Sequence, residues 1–320
     1  MLFSKIIKKK FDAVLGRYEG DPAFRYPRLE DFPELKHKNL DILGDNDVLL
    51  KGAFYFYGDM KPEKLIVFDH GIGAGHLAYL KEIDVLAKNG YTVYSYDHTG
   101  CASTRGTGIL GFAQGVNDLD HVLTALQSDP RFAGVPRQIM GHSWGAYSCM
   151  NAAALHPEVT HVVSLAGFLS ARTLVEQYIP KMFLKYSEEV MERERQHNPR
   201  YADLDARESM KKSGAKLMHL QSHDDMMVKF ELACEPLQEA LKGRPHTEFV
   251  ILDRRGHDPQ RTEAACAAYT AMAEEEKRLQ KKNQLTADDQ IARFQSRQNW
   301  VQIEEQDPEI WRQILNFLRN

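Results

Sequence analysis

The chain has 320 residues, 43% of them apolar and 27% charged, which is the composition of ordinary soluble globular proteins. Its formal net charge of −4 lacks the basic excess of dedicated nucleic-acid binders, so we expect no nucleic-acid partner. No apolar run in the sequence reaches the roughly 18 residues that indicate a membrane span.

The N-terminal residues and the cysteines bear on the compartment of the protein. Lysines interrupt the N-terminal residues, which lack the apolar stretch and the cleavage site of a secretory signal. Four scattered cysteines without a C-x-x-C pair are typical of reduced thiols rather than of a disulfide framework. We therefore expect a cytoplasmic protein. No H-E-x-x-H or C-x-x-C spacing occurs, so we predict no metal site.

Short apolar runs alternate with helical patterns through the middle of the chain, as is typical of βαβ units. Ahead of them, residues 40–56 predict an antiparallel hairpin around a turn at 44–47. The strand-like runs are 64–71, 91–97, 137–143, 161–167, 215–222 and 246–253, and the helical patterns are 75–89, 111–127, 144–156 and 307–319. The sequence thus predicts an α/β fold with a mostly parallel sheet of about eight strands flanked by helices.

Two segments interrupt this alternation. Residues 169–214 are helical in pattern and lie between two predicted strands. Residues 260–305 carry a long, charged helical pattern before the closing helix. No linker or internal repeat separates these segments from the rest. We therefore expect a single domain, 1–320, with two helical insertions.

The sequence Gly141-His142-Ser143-Trp144-Gly145 is a G-x-S-x-G motif between a predicted strand and a predicted helix. A serine on such a sharp turn has a strained backbone, and glycines on both sides leave room for the neighbouring strand and helix. The turn exposes the hydroxyl at the carboxyl edge of the sheet, where open α/β folds bind ligands. Ser143 is the candidate nucleophile, against the alternative of a glycine-rich turn with an incidental serine.

The segment Asp69–Gly73 follows the first predicted parallel strand and resembles the H-G-x-G loop that forms oxyanion holes. Backbone N–H groups stabilise the negative oxygen of acyl transfer, and the candidate donors are Ile72 and Trp144. The alternative is a dinucleotide-binding loop, but His76 occupies the position where its third glycine is needed. We therefore predict no cofactor.

A general base and an acid should follow the nucleophile in the chain order Ser…Asp…His. His257 lies just beyond the last predicted strand and is the candidate base. Two adjacent carboxylates, Asp224 and Asp225, follow the preceding strand. We favour Asp225 as the acid that orients the imidazole, because Val228 matches the usual D-x-x-V spacing, and Asp224 is the alternative.

Together these motifs resemble the α/β-hydrolase superfamily, close to its lysophospholipase-like and serine-aminopeptidase-like branch. The loop at 97–103 also resembles one that these proteins carry after their next strand. The resemblance implies an α/β-hydrolase fold and a serine hydrolase that forms an acyl-enzyme. A carboxylic ester of a small or lipid-like acyl group is the leading substrate hypothesis. The alternatives are a peptidase or amidase, an acyltransferase, and a non-enzymatic scaffold.

In such hydrolases a helical cap covers the active site at the position of the 169–214 insertion. A cap excludes water and shapes the substrate pocket. Its apolar residues either line that pocket or form the packing face of the cap itself. The candidate substrate-binding residues are His70, His142, Tyr178 and Met182.

The N-terminal residues predict a basic amphipathic helix. Such a helix indicates weak contact with an anionic membrane surface, although docking onto the protein body or onto the second subunit of a homodimer is commoner. Its apolar residues are Phe3, Ile7, Phe11 and Val14, and its lysines are Lys5, Lys8, Lys9 and Lys10.

Overall fold

A mixed sheet organises the chain. The computed structural model describes residue 9 and residues 11–320. The strands in that part of the chain are β1 Lys36–Asn39, β2 Ile42–Leu43, β3 Leu49–Leu50, β4 Gly52–Phe56, β5 Leu65–Asp69, β6 Thr92–Tyr96, β7 Arg137–His142, β8 Val159–Leu165, β9 Lys216–Ser222 and β10 Thr247–Leu252. Eight of them form one sheet in the order β1-β4-β6-β5-β7-β8-β9-β10. The β1–β4 and β4–β6 pairs are antiparallel and all later pairs are parallel, which confirms the predicted mixed sheet.

The predicted N-terminal hairpin is present, but its first arm starts earlier than expected. β2 and β3 pair around a short 3-10 turn at Asp45–Asp47. Asn46 and Asp47 adopt positive φ angles of 53° and 58°, which short polar side chains tolerate best. Below the turn the two arms continue as β1 and β4, so the first arm begins at Lys36 rather than at residue 40.

Helices cover both faces of the sheet. Between residues 80 and 320 the α-helices are α1 Leu80–Lys88, α2 Gln114–Ser128, α3 Trp144–Ala152, α4 Ala171–Tyr178, α5 Ser187–His197, α6 Ala206–Lys212, α7 Cys234–Ala240, α8 Glu263–Lys281, α9 Asp288–Ser296, α10 Trp300–Ile303 and α11 Pro308–Arg319. Successive residues of β5 point to opposite faces. Ile66 therefore packs with α1 and α11, whereas Val67 packs with α2 and α3.

The two predicted insertions are helical. Helices α4–α6 lie between β8 and β9, and α8–α10 lie between β10 and the closing helix α11. The second group has a small core of its own, separate from the two cores beside the sheet. That core includes Met272, Phe294, Trp300 and Ile303, and Ala23 from the N-terminal segment completes it.

The N-terminal segment, residues 11–26, is attached to the loop that follows β6. Gly16 forms a bridge with Gly108, and Tyr18 forms one with Cys101. Residues 11–14 are helical, and Phe11 is buried against the body. Of the predicted amphipathic helix, residues 1–8 and 10 lie outside the described residues. Within residues 9 and 11–320, no helix combines the length and apolar character needed to cross a membrane.

Candidate active site

Ser143 occupies the sharp turn between β7 and α3. Its φ of 54° and ψ of −111° place the backbone in a region that residues other than glycine rarely adopt. The turn is held because the Ser143 N–H donates to the Leu165 carbonyl at 2.8 Å. A Cβ atom on Gly141 or on Gly145 would collide with neighbouring backbone. The G-x-S-x-G spacing is thus a steric requirement of this turn.

His257 and Asp225 form a hydrogen-bonded pair. The Nδ1 atom of His257 lies 2.9 Å from Oδ2 of Asp225. The other carboxylate oxygen of Asp225 accepts from the N–H groups of Met227 and Val228, each at 2.9 Å. Asp224 instead accepts from the Gly256 N–H at 3.2 Å. Of the two adjacent carboxylates, the structure therefore brings Asp225 to the imidazole.

The environment of His257 favours its protonated form. Burial lowers the pKa of the imidazole, but the hydrogen bond and charge of Asp225, together with the charge of Asp258, outweigh it and raise the pKa above 6.5. A carboxylate placed in this way also keeps the proton of the neutral ring on Nδ1. The Nε2 atom is then an acceptor, as a general base requires.

Ser143 and His257 line the same cavity of about 890 Å³. Ile72 lies in the wall of this cavity, whereas the Trp144 side chain is fully buried and its indole N–H donates to the Phe112 carbonyl at 2.6 Å. Trp144 is the first residue of α3, and the first N–H groups of a helix have no acceptor within that helix. The backbone N–H of Trp144 is thus suited to an acceptor outside the helix.

A chain of hydrogen bonds connects the loop after β5 to His257. The Gly71 N–H donates to the Tyr79 hydroxyl at 3.1 Å, and this hydroxyl lies 2.8 Å from Nδ1 of His142. The Nε2 atom of His142 lies 2.8 Å from the His257 carbonyl oxygen. Burial, assisted by the charge of His257, lowers the pKa of His142 to about 4. The ring is therefore neutral, donates from Nε2 to the carbonyl and accepts from Tyr79 at Nδ1.

A second buried network, of ion pairs and hydrogen bonds, supports the same loop at residues 69–73. His98 lies between Asp69, 2.6 Å from its Nε2 atom, and Asp118, 3.2 Å from its Nδ1 atom. Burial lowers the pKa of His98, but the two carboxylates outweigh it and raise the pKa to about 9. The His98 backbone N–H donates to Nε2 of His70 at 3.0 Å. This charged cluster therefore fixes the position of the Asp69–Gly73 loop.

The four predicted substrate-binding residues fall into two groups. His142 and Tyr178 line the cavity, and the Tyr178 hydroxyl also donates to the Met227 carbonyl at 2.8 Å. His70 is fully buried, and its ring nitrogens face the Gly71 carbonyl at 2.6 Å and the His98 N–H. Met182 is 78% exposed and is not part of the cavity wall. We therefore keep only the first two as candidate substrate contacts.

Sequence reasoning missed much of the cavity wall. Tyr79 and residues of the 11–26 and 258–276 segments line the cavity, although these segments lie far from Ser143 in the chain. Their local patterns are ordinary amphipathic or aromatic runs, which carry no sign of an active site. From the 169–214 insertion, Leu174 and Tyr178 line the cavity, while Ile179 packs in the core.

Residues 60–240, more than half of the chain, match the family model "Serine aminopeptidase, S33". The chain belongs to this family. The match confirms the predicted α/β-hydrolase superfamily and makes the chain a member of a hydrolase family. The matched range contains Ser143 and Asp225, whereas His257 lies beyond its end.

Named relatives agree with this assignment. The "Monoglyceride lipase" of Saccharomyces cerevisiae is 25% identical over 160 residues, which are 48% of each chain. A "Monoglyceride lipase homolog" of monkeypox virus is 31% identical over 131 residues, 40% of this chain and 46% of the viral one. The matched region thus spans about half the length of these curated relatives.

A solved structure shows the same fold. The esterase of Pyrococcus furiosus has a TM-score of 0.56, covers 75% of this chain and 88% of its own, and shares 16% of aligned residues. At this level of identity the likeness concerns the fold alone. Together with the sheet order, it confirms the predicted α/β-hydrolase fold.

Proposed function

We propose that the protein is a serine esterase that cleaves carboxylic esters of apolar, lipid-like acyl groups through an acyl-enzyme. The observation that carries this proposal is the His257–Asp225 pair beside the cavity that Ser143 also lines. A strained serine, a base oriented by a buried carboxylate and an adjoining cavity are the components of nucleophilic acyl transfer. A scaffold protein has no use for these components at one place.

In the proposed reaction, the Ser143 hydroxyl oxygen attacks the ester carbonyl carbon while Nε2 of His257 takes the hydroxyl proton. The N–H groups of Ile72 and Trp144 stabilise the resulting oxyanion, at about 3–4 kcal/mol for each donor. His257 returns the proton to the leaving alcohol, and the acyl group stays on the serine. Water, deprotonated by the same imidazole, then releases the carboxylic acid and restores the Ser143 hydroxyl.

Two observations support a lipid-like acyl group. The relatives named above are described as a monoglyceride lipase and a homolog of one. The cavity walls include Phe112, Phe168 and Leu174, which offer an acyl chain apolar surface. We further propose that the protein is a single domain and that helices α4–α6 act as its cap, since Leu174 and Tyr178 bring them to the cavity.

An aminopeptidase is the second candidate, and one observation besides the family description favours it. Asp21 and Glu276 line the same cavity, and a carboxylate there would pair with the ammonium group of a peptide N-terminus. The two candidates differ in their substrates. An esterase turns over p-nitrophenyl esters and leaves aminoacyl p-nitroanilides intact, whereas an aminopeptidase hydrolyses the anilides as well.

The test of the proposed function is the Ser143→Ala variant. We expect kcat for a p-nitrophenyl ester to fall by about 10⁶-fold, as in other serine hydrolases that lose the nucleophile. Labelling by a fluorophosphonate probe should disappear at the same time. Ser148→Ala is the matched control, because Ser148 lies in α3, the helix that follows Ser143, and its hydroxyl donates to the Trp144 carbonyl. Undiminished labelling of Ser143→Ala would show that the nucleophile is elsewhere.

A further inference from the structure

Part of the cavity wall comes from segments that lie outside the family match at 60–240. One segment precedes that range and the other follows it. We call their apolar and aromatic cavity-lining side chains the accessory wall. It includes Phe11, Val14, Tyr18, Phe24, Tyr269 and Met272.

The accessory wall is a packed structure. The ring centroid of Phe24 lies 6.2 Å from that of Tyr269 and 5.0 Å from that of Trp300. Met272 is 3% exposed and packs in the same cluster as Phe294. The N-terminal segment is thereby joined to α8–α10, and both line the cavity.

Hydrogen bonds hold the N-terminal segment in this place. The Tyr18 N–H donates to the Gly100 carbonyl at 3.0 Å, and the Ala102 N–H donates to the Tyr18 carbonyl at 2.8 Å. The Gln295 side chain of α9 donates to the Pro22 carbonyl at 2.9 Å. A wall fixed on both sides presents a preformed surface to a ligand, which lowers the entropic cost of binding.

Two acidic side chains of this region lie toward solvent. Asp21 is exposed and Glu276 is only half-buried, whereas Phe11 and Met272 are buried. Burial and the carboxylate of Asp21 raise the pKa of Glu276 to about 7. The acidic pair therefore belongs to the rim. Asp258 and Arg261, an ion pair at 3.6 Å, line the cavity as well, and the Arg261 guanidinium lies 5.9 Å from the centre of the Tyr269 ring.

From this arrangement we propose that the accessory wall binds the distal part of a fatty acyl chain whose ester carbonyl lies at Ser143. The inference rests on the proposed esterase function, because it places the acyl half of that substrate. Two features carry it: the wall shares one cavity with Ser143 and His257, and its side chains are apolar or aromatic. The cavity of about 890 Å³ is also near the upper end of the roughly 300–1,000 Å³ usual for small-molecule sites.

The inference assigns chain-length selectivity to residues outside the family-matched range. In the proposed binding mode, an acetyl group on Ser143 leaves the accessory wall empty. A decanoyl chain extends along it and removes apolar surface from water. A larger side chain in the accessory wall should therefore lower kcat/KM for esters of long acyl chains and leave kcat/KM for short ones unchanged.

The test compares p-nitrophenyl acetate, butyrate, octanoate and decanoate with the full chain and with the Met272→Trp variant. For the unchanged protein we expect kcat/KM to rise with chain length. In Met272→Trp the ratio of kcat/KM for decanoate to that for acetate should fall by about tenfold or more, as expected when methylene groups lose an apolar pocket. Met182→Trp is the matched control, because Met182 is 78% exposed and does not line the cavity.

Met272 also packs in a small core, so thermal unfolding must accompany the kinetics. If Met272→Trp does not fold, Val14→Trp replaces it, because Val14 is 40% exposed and still lines the cavity. If the ratio of kcat/KM for decanoate to that for acetate is the same in Met272→Trp (or its replacement Val14→Trp) as in Met182→Trp, the inference is overturned while the esterase proposal stays intact. If the unchanged protein hydrolyses no ester and no probe labels Ser143, the proposed function falls, and this inference falls with it.

Discussion

The cavity has two kinds of wall, and they are built differently. The proposed catalytic wall carries Ser143, Ile72 and His257 in loops that follow β7, β5 and β10, and backbone geometry and hydrogen bonds position Ser143 and His257. The accessory wall consists of side chains from two segments distant in sequence. These side chains meet through aromatic and apolar packing, and backbone hydrogen bonds hold the N-terminal segment against the body.

We therefore expect the first wall to determine the rate of turnover and the accessory wall to determine which substrate is preferred. The catalytic wall depends on a few atoms at fixed distances, so a single hydrogen bond lost there should reduce turnover for every substrate. The accessory wall depends on volume and apolar area, so its substitutions should alter which substrate is preferred. The predictions below test that division, starting with the largest effect.

Among substitutions of Asp225, Glu194 and Tyr79, Asp225→Asn should give the largest effect. The amide no longer fixes the imidazole tautomer, and kcat should fall by about 10⁴-fold, as in other Ser-His-Asp hydrolases. Asp225 is also what raises the pKa of His257 against the effect of burial. The general base must be neutral, so the acid limb of kcat/KM should have its midpoint above pH 6.5. In Asp225→Asn that midpoint should move to lower pH.

The control for this prediction is Asp224→Asn. Asp224 accepts from the Gly256 N–H but does not contact the imidazole, so its loss should weaken the loop and leave the acid limb in place. These measurements need only p-nitrophenyl acetate and buffers between pH 5 and 9. A larger loss at Asp224 than at Asp225 would reassign the acid.

Glu194 joins the α4–α6 insertion to the loop that precedes α2. Its carboxylate accepts from the N–H groups of Phe112 and Ala113 at 2.8 and 3.1 Å. Glu194→Ala leaves both donors buried without this acceptor, and we expect the free energy of unfolding in urea to fall by about 2–4 kcal/mol. Glu192→Ala is the control in the same helix, because its weak ion pair with Arg195 is exposed and should contribute little.

Glu194 should also make the stability of the protein depend on pH. Burial, partly offset by the two N–H groups, raises the pKa of Glu194 to about 7, above its ordinary 4.5. Between these values the folded protein binds more protons than the unfolded chain, so this group's contribution to stability falls as pH rises. Glu194→Gln does not titrate. Its stability relative to the unchanged protein should therefore increase from pH 4.5 to 7, and an opposite trend would refute the assignment.

Tyr79→Phe should give the smallest effect. It removes the hydroxyl that joins Gly71 to His142, and through His142 the carbonyl of His257. We expect kcat/KM to fall by about ten- to a hundredfold for short and long esters alike, because small displacements of catalytic groups have effects of this size. Tyr57→Phe loses a hydrogen bond to Asp84 remote from the cavity, and should lower stability only. A change confined to long-chain esters would place Tyr79 functionally with the accessory wall.

The sequence by itself determined the sheet and the candidate catalytic residues. Apolar runs of strand length alternating with helical periodicity predicted a mostly parallel sheet, because these periods follow from backbone geometry. The G-x-S-x-G spacing identified Ser143 because that turn excludes side chains at Gly141 and Gly145. The order Ser…Asp…His pointed to His257, and the D-x-x-V spacing favoured Asp225 over its neighbour.

Only the tertiary structure decided which side chains meet in the cavity. His70 and Met182 were expected to bind substrate but do not line the cavity, because a motif position does not say whether a ring is buried or a methionine exposed. Phe24 and Met272 are about 250 positions apart in the chain but belong to the same apolar cluster. Their proximity depends on packing between distant segments, and no local sequence pattern predicts it. Backbone conformation is set by near neighbours in the chain, whereas the shape of a cavity is set by residues that become neighbours only on folding.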